Sequence, residues 1–287
     1  MLTAIPSKTA LRVALRRAAH QLVDAEPLVL DDPISLAILP AQARAELART
    51  PDASRKPFSA GLRAFLVCRS RLAEDNLAAA VARPNHPATQ YVLLGAGLDT
   101  FAYRNPHPHL RVFEVDHPAT QQWKRDLLAE NKIEIPPTTT FAPIDFETET
   151  LPEALAHAGF DPAQPTVFAW LGVVPYLTLE AFRGTIQFIG ALPAPCTLTL
   201  DYSLPRASLG FFEKLAFDSI ASRVAKAGEP FRLFFTPAEI AQELRANNFT
   251  SIEDLDHPAL AARYLANRTD GLDLRGGMAH LLTASKP

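Results

Sequence analysis

The sequence lacks most of the features that announce a function class. It has only two cysteines, Cys68 and Cys196, far apart in the chain. A disulfide framework or a zinc knuckle needs more thiols at closer spacing, so neither is expected and a reducing compartment fits. No charge of one sign dominates: 28 basic residues against 31 acidic ones leave a net charge of −3. That gives no general attraction for nucleic acid or for an acidic membrane surface. The longest apolar run, Thr166 to Leu177, is too short to span a bilayer and is interrupted by Pro175. Met1 to Ala10 carries no apolar segment of the signal-peptide kind. The expectation is a cytoplasmic protein without a nucleic-acid or membrane partner. There is no internal repeat, no low-complexity segment and no G-x-S-x-G elbow, so a serine hydrolase is unsupported. His107, His109 and His117 fall near one another, but the first two sit in a proline-punctuated loop, and no metal site is expected.

What the chain does have is one organising stretch, Gln90 to Arg104. It begins as an apolar strand and breaks at Gly95 and Gly97. It then meets Asp99 and Thr100, either of which can cap a helix. A strand that turns at glycines into a helix is how open α/β sheets build a nucleotide-type pocket. Glycine allows the tight turn and leaves room for a ligand where a Cβ would collide.

About 90 residues of helical pattern precede that strand. Ser7 to Asp24 carries Ala10, Val13, Ala14, Ala18 and Leu22 at helical spacing, with Ser7 and Thr9 as candidate caps. Arg12, Arg16 and Arg17 read there as a solvated face. Asp32-Pro33 predicts a cap and a first-turn proline opening a helix to about Leu47. Thr50 to Pro57 reads as a polar connector. Phe58 to Val81 is a third helix, with Arg69 and Arg71 ahead of Glu74 and Asp75. These arginines can pair along the helix or point one guanidinium at a ligand carboxylate. The division expected is a helical cap over residues 1–88 and a ligand-binding domain over 89–287, with an amphipathic insertion at about 205–235.

From Gln90 onward strand and helix patterns alternate. Strands are predicted at Leu110 to Val115, Thr138 to Ile144, Thr166 to Leu171, Thr197 to Tyr202, Thr250 to Leu255 and Met278 to Thr283. Thr236-Pro-Ala-Glu239 is a capping box opening a helix to Asn247. In such a sheet ligands bind beyond the strand carboxyl ends. Gly95, Gly97, Asp116, Asp145 and the stretch Trp170 to Tyr176 fall there. Asp116 lies 19 residues after Gly97 at the end of the second strand, where an acid can accept both hydroxyls of a ribose. The competing reading is a helix cap ahead of Pro118. Asp145 suits an adenine-edge contact, or is a plain turn residue. The third glycine of a dinucleotide fingerprint is replaced by Thr100, and no P-loop lysine follows. A nucleoside ligand without a pyrophosphate, such as S-adenosyl-L-methionine, meets these limits better.

Leu94-Gly95-Ala-Gly97-Leu-Asp99-Thr100-Phe-Ala-Tyr-Arg104, Phe113-Glu-Val-Asp116-His-Pro118 and Pro175-Tyr176-Leu177-Thr178 together resemble the leucine carboxyl methyltransferase-like family. The resemblance extends to Ser7-Lys-Thr9-Ala10, Asp31-Asp32-Pro33, Gly228-Glu-Pro230 and Arg263-Tyr264, and so covers nearly the whole chain. It implies an α/β fold: a Rossmann-like, seven-stranded class I methyltransferase sheet with helices on both faces and an N-terminal helical cap. It implies S-adenosyl-L-methionine as cofactor and a small-molecule or carboxylate methyl acceptor, with O-methylation as the chemistry. Carried over by position, Arg69 matches the arginine that grips the methionine carboxylate, with Arg71 as the fallback. Gly95 and Gly97 match the glycine loop, Asp116 the ribose acid, and Asp145 and Phe146 the pair flanking adenine. Leu171 stands in the cofactor-contact set where relatives often carry an acid. Tyr176, Tyr202 and His117 are the candidates on the acceptor side, and the two tyrosines form the catalytic expectation. Two other readings stay open: a nicotinamide-dependent oxidoreductase, against which Thr100 argues, and a non-catalytic cofactor-binding module, suggested by Leu171.

Overall fold

The computed structural model describes residues 8–145, 149–226 and 228–287. Five helices come first: α1 (Lys8–Val23), α2 (Ile34–Ala37), α3 (Ala41–Arg49), α4 (Pro51–Arg55) and α5 (Pro57–Val81). The single helix expected from Asp32 to Leu47 is broken in two, because Pro40 cannot donate to the preceding turn and bars helical geometry at the residue before it. Asp32 still caps as predicted, its Oδ1 accepting from Ser35 N–H at 3.1 Å. The stretch read as a polar connector holds α4, with Pro51 at its first position. Of the two caps expected for α1, Ser7 lies outside the described residues.

The rest of the chain builds one seven-stranded sheet: β1 (Gln90–Leu94), β2 (Arg111–Asp116), β3 (Thr139–Pro143), β4 (Thr166–Trp170), β5 (Cys196–Ser203), β6 (Ser251–Leu255) and β7 (Ala279–Lys286). The spatial order is β3-β2-β1-β4-β5-β7-β6. The first five strands pair in parallel, and β7 runs antiparallel to both β5 and β6. The order reverses between β1 and β4, so their carboxyl ends flank the crevice where open α/β sheets bind ligands. β1 and β4 are buried along their whole length, as apolar strands covered on both faces must be.

Helices α6 (Pro118–Glu130), α7 (Leu151–His157), α8 (Leu179–Ala191), α9 (Phe211–Lys226), α10 (Pro237–Ala246) and α11 (His257–Tyr264) complete the chain. On one face of the sheet Phe182, Ile186 and Ile189 of α8 and Ile240 and Leu244 of α10 pack on Phe168, Trp170, Leu198 and Leu200. Each such side chain withdrawn from water contributes about 1.5–3 kcal/mol. On the other face Ala73, Leu77 and Ala80 of α5 pack on Tyr91, Leu93, Val167 and Ala169. The last of the five leading helices is thus a layer of the sheet, its small alanines letting the long helix lie close. The predicted capping box at Thr236 and Glu239 forms at the start of α10. Cys68 and Cys196 are free and buried, and burial pushes both thiols up to about 12.

Candidate functional site

The parallel register brings the ends of β1, β2, β3 and β4 to one level. Leu94 pairs with Val115, Asp116 with Pro143 and Leu93 with Ala169. Gly95, Asp116, Asp145 and Leu171 therefore leave the sheet along one rim. Gly95 and Gly97 have φ of +71° and +49°, a region that side chains with a Cβ enter at a cost. A Cβ on Gly95 would also collide with Val173. The loop is pinned from β2: Gly95 and Ala96 N–H donate to Val115 O at 2.9 and 3.0 Å. Asp116 accepts from Gly97 N–H at 2.6 Å and from His117 N–H at 2.7 Å. Burial raises the Asp116 carboxyl, and those two N–H groups oppose the rise.

The helix expected after Asp99 and Thr100 does not form. One 3-10 turn, Phe101–Tyr103, stands in its place. Asp99 Oδ1 accepts from Phe101 N–H at 2.8 Å, Thr100 is drawn into a buried ion network, and Pro106 and Pro108 follow at once. Arg17 organises that network. It reaches Asp99 at 2.6 Å, Asp32 at 2.7 Å and Thr100 at 3.0 Å. Arg104 bonds Asp32 at 3.1 Å and pairs with Glu74. Arg17 is 3% exposed, so the solvated face read for α1 fails at this position. The nearby carboxylates outweigh its burial and raise its pKa. Asp99 is held at about 2: burial works against its charge, but Arg17, Lys124, the Phe101 N–H and Arg104 prevail.

Arg69 is 7% exposed on α5 and points over Gly172, where an added Cβ would sit 2.7 Å from Nη1. Its Nη1 donates to Asp201 at 3.3 Å, and its Nε has no partner among the described residues. The second oxygen of Asp201 accepts the Gly172 N–H. Arg71, the fallback, faces outward and pairs with Asp75 at 2.7 Å. Leu171 is half-buried against Leu93, Ala96 and Ala169, an apolar wall beside the glycine loop. Asp145 is half-buried on the rim, and Phe146 lies outside the described residues.

A cavity of about 620 Å³ opens beside Arg69 and Gly172. Its walls come from α1, α5, α9, the end of β5 and the loop before β7. Tyr176, on a 3-10 turn, lines it with its ring 5.3 Å from Phe231. Burial, then the charge of Glu229, pushes the Tyr176 hydroxyl up to about 12. Tyr202 is not brought to this cavity, which departs from its expected place on the acceptor side. Successive strand residues face opposite ways: Asp201 and Ser203 line the cavity, while Tyr202 is buried across the sheet, donating to Asp254 at 2.7 Å. His117 is likewise turned away. It caps α6, its Nδ1 accepting from Ala119 N–H at 3.1 Å.

Two residues of the site were missed from sequence. Asp201 was detectable, since Thr197, Thr199, Asp201 and Ser203 alternate with Leu198, Leu200 and Tyr202 along β5. His257 lines the cavity with Nδ1 unpartnered among the described residues. Burial, then His280, lowers its pKa, so the ring is neutral at pH 7. Nothing in its sequence neighbourhood distinguished it from a first-turn helix residue.

Comparison with known proteins gives the family and the fold. Residues 10–190 match the leucine carboxyl methyltransferase family. A Bacillus subtilis (strain 168) protein named "Putative S-adenosyl-L-methionine-dependent methyltransferase YktD" is 34% identical over 188 residues, 64% of this chain. That match spans 62% of the Bacillus protein's own length. A Frankia alni protein whose name also begins "Putative S-adenosyl-L-methionine-dependent methyltransferase" is 35% identical over 223 residues, 76% of this chain and 74% of its own. Among solved structures, one from Thermobifida fusca YX superposes with a TM-score of 0.56 at 18% identity, covering 96% of this chain and 94% of that one. One from Streptomyces avermitilis MA-4680 gives 0.53 at 18% identity, covering 95% and 97%. At that identity the likeness speaks for the fold alone. The chain belongs to the leucine carboxyl methyltransferase family and carries the class I fold of S-adenosyl-L-methionine-dependent methyltransferases.

Proposed function

We propose that this chain transfers a methyl group from S-adenosyl-L-methionine to an oxygen of a small molecule or a carboxylate. The observation that carries the reading is the apolar cavity of about 620 Å³ that abuts Arg69 and Gly172. The residues fit the cofactor. Arg69 has an unpartnered buried Nε and suits a carboxylate. Asp116 sits at the end of β2 and suits ribose hydroxyls. Gly95 is exposed, with backbone bare toward the crevice. Asp145 would meet the adenine edge, with Phe146 beside it in sequence, and Leu171 would close the apolar side.

When bound, S-adenosyl-L-methionine supplies a methyl group already activated by its sulfonium. The protein has then to hold the acceptor in line and keep water out, so positioning carries much of the rate. The apolar lining serves the second task. The acids that line the cavity are already engaged: Asp201 bonds Arg69 and the Gly172 N–H, and Glu213 accepts from the N–H groups of Gly210 and Gly277, which lower its carboxyl. Tyr176, protonated at neutral pH, can donate a hydrogen bond to the acceptor but cannot take its proton. A carboxylate acceptor needs no base. For a hydroxyl acceptor the neutral His257 is the lining group suited to receive the proton.

Calorimetry with S-adenosylhomocysteine should give micromolar binding that Asp116→Ala abolishes. No binding to a folded protein would sink the cofactor reading. Transfer of labelled methyl should then be scored on carboxylic acids, phenols and alcohols. Label released by mild alkali marks an ester, and label that resists it marks an ether. Label found only on nitrogen or carbon would overturn O-methylation.

A further inference from the structure

The cavity beside Arg69 is a slot with two chemically different ends. α1 and α5 line it in opposite directions. Thr9 on α1 and Arg69 on α5 stand at the end near Tyr176 and Gly172. At the helical rise, Arg16 lies about 10 Å beyond Thr9, and Phe58 lies about 16 Å back from Arg69. Both line the cavity, so the slot extends well past what a methyl acceptor group needs.

The far end is cationic. The Arg223 guanidinium from α9 lies 5.2 Å from the Phe58 ring centre. Arg16 donates through Nη1 to the carbonyl of Arg12 at 3.2 Å, and its Nε is buried without a partner among the described residues. Among those residues no carboxylate pairs with Arg12, Arg16 or Arg223, whereas neighbouring Arg63 is already matched to Asp24 at 2.7 Å. Burial, then Arg223, Arg12 and Arg63, lowers the pKa of Arg16, as repulsion among cations should. Arg16 carries the buried, unpartnered Nε at this end, and Arg12 and Arg223 stand exposed beside it, a cluster of guanidiniums that an anion can share.

We propose that the acceptor is an elongated amphipathic carboxylate: an apolar chain laid along the slot, its carboxylate held by Arg16 with Arg12 and Arg223, and its methylated oxygen at the opposite end beside Arg69. The assignment rests on the methyl-transfer reading only for which end reacts. The near end has its own acid in Asp201, which already neutralises Arg69. The other lining acid, Glu213, is taken up by the N–H groups of Gly210 and Gly277, and the arginines of the far end have no carboxylate partner among the described residues, so a ligand anion gains more there.

Dodecanoate and dodecanol, titrated by calorimetry into the full chain without cofactor, test the site. Dodecanoate should bind more tightly than dodecanol. Arg16→Gln should weaken dodecanoate about tenfold, the worth of one charge-assisted pair, and leave dodecanol unchanged. The unchanged dodecanol titration also reports an intact fold. Arg223→Gln, on the exposed side of α9, should act in the same direction, and Arg16→Lys should retain part of the affinity. Equal binding of the two ligands, binding of neither, or dodecanoate binding indifferent to both Arg16→Gln and Arg223→Gln would overturn the proposal. Loss of dodecanoate binding in Arg69→Gln alone would put the carboxylate at the reacting end and would overturn it too. S-adenosylhomocysteine titrated into the same preparation keeps the two readings apart, since its failure strikes the cofactor assignment and leaves the slot untouched.

Discussion

Asp201 and Tyr202 are neighbours on β5 with opposite duties. One carboxylate oxygen of Asp201 faces Arg69 and the other takes the Gly172 N–H, so it ties α5 to the loop after β4. Tyr202 is fully buried across the sheet and bonds Asp254. Tyr202→Phe should therefore lower unfolding free energy by about 1.5–3 kcal/mol in urea melts, the range for a hydrogen bond to a charged group, with S-adenosylhomocysteine affinity unchanged. A fall in affinity with stability intact would return Tyr202 to the site. Tyr176→Phe should leave both quantities near wild type and slow methyl transfer without altering the pH profile below pH 9, since its hydroxyl is pushed up to about 12. At this scale the sequence was legible wherever strand parity could be applied. The rim residues Gly95, Asp116, Asp145 and Leu171 follow from strand ends alone. Residue type alone points Tyr202 to the acceptor side, and the alternation of β5 places it on the opposite face. His257 could not be found, since the groups that surround it, Phe65 among them, come from elements far away in the chain.

The element that decides the geometry of the glycine loop is α1, through Arg17. Arg17 joins Asp32 to the adjacent pair Asp99 and Thr100, two places far apart in the chain. Removing one member of such a buried set strands the others. Arg17→Met should cost about 3–5 kcal/mol of stability, measured by urea unfolding, and Arg17→Met with Asp99→Asn should cost less than the sum of the two. Additive losses would mean the groups act independently. The pH dependence has a definite sign. The Asp99 carboxyl is depressed to about 2 when folded, against about 3.9 in the unfolded chain. Its contribution is present in full above about pH 5 and is lost as pH falls through about 2, so the stability gap between wild type and Asp99→Asn should shrink over that window. A gap constant from pH 6 to pH 2 would refute the assignment. None of this was visible in α1 itself. Arg12, Arg16 and Arg17 look alike in sequence, and among the described residues only Arg17 of the three meets carboxylates, from Asp32 and, 82 residues away, from Asp99. The missing helix after Gly97 has the same origin, for the residues that could have capped it are spent on the network.

Across the whole molecule the sheet was readable and its closure was not. Seven strands and their intervening helices follow from alternation and from capping signals such as Thr236 and Glu239. The antiparallel insertion of β7 between β5 and β6 leaves no mark in local pattern, because pairing partners are chosen by fit across the sheet. Nor does any local pattern announce that α1 lies over the glycine loop. A Cβ on Gly97 would sit 3.2 Å from the Ala10 Cβ, and the Thr9 hydroxyl bonds Glu229 in the loop beyond α9. One short stretch of α1 thus touches the glycine loop and the loop beyond α9. A cofactor seated on Gly97 must pass or displace it. Amide hydrogen exchange of residues 10–14 should therefore slow several-fold when S-adenosylhomocysteine binds, and the amides at the start of α9 should slow with them. The interior of β4, buried on both faces, should remain unchanged. If the ligand protects the glycine loop while residues 10–14 exchange at the free rate, α1 is no gate and the two ends of the site open separately.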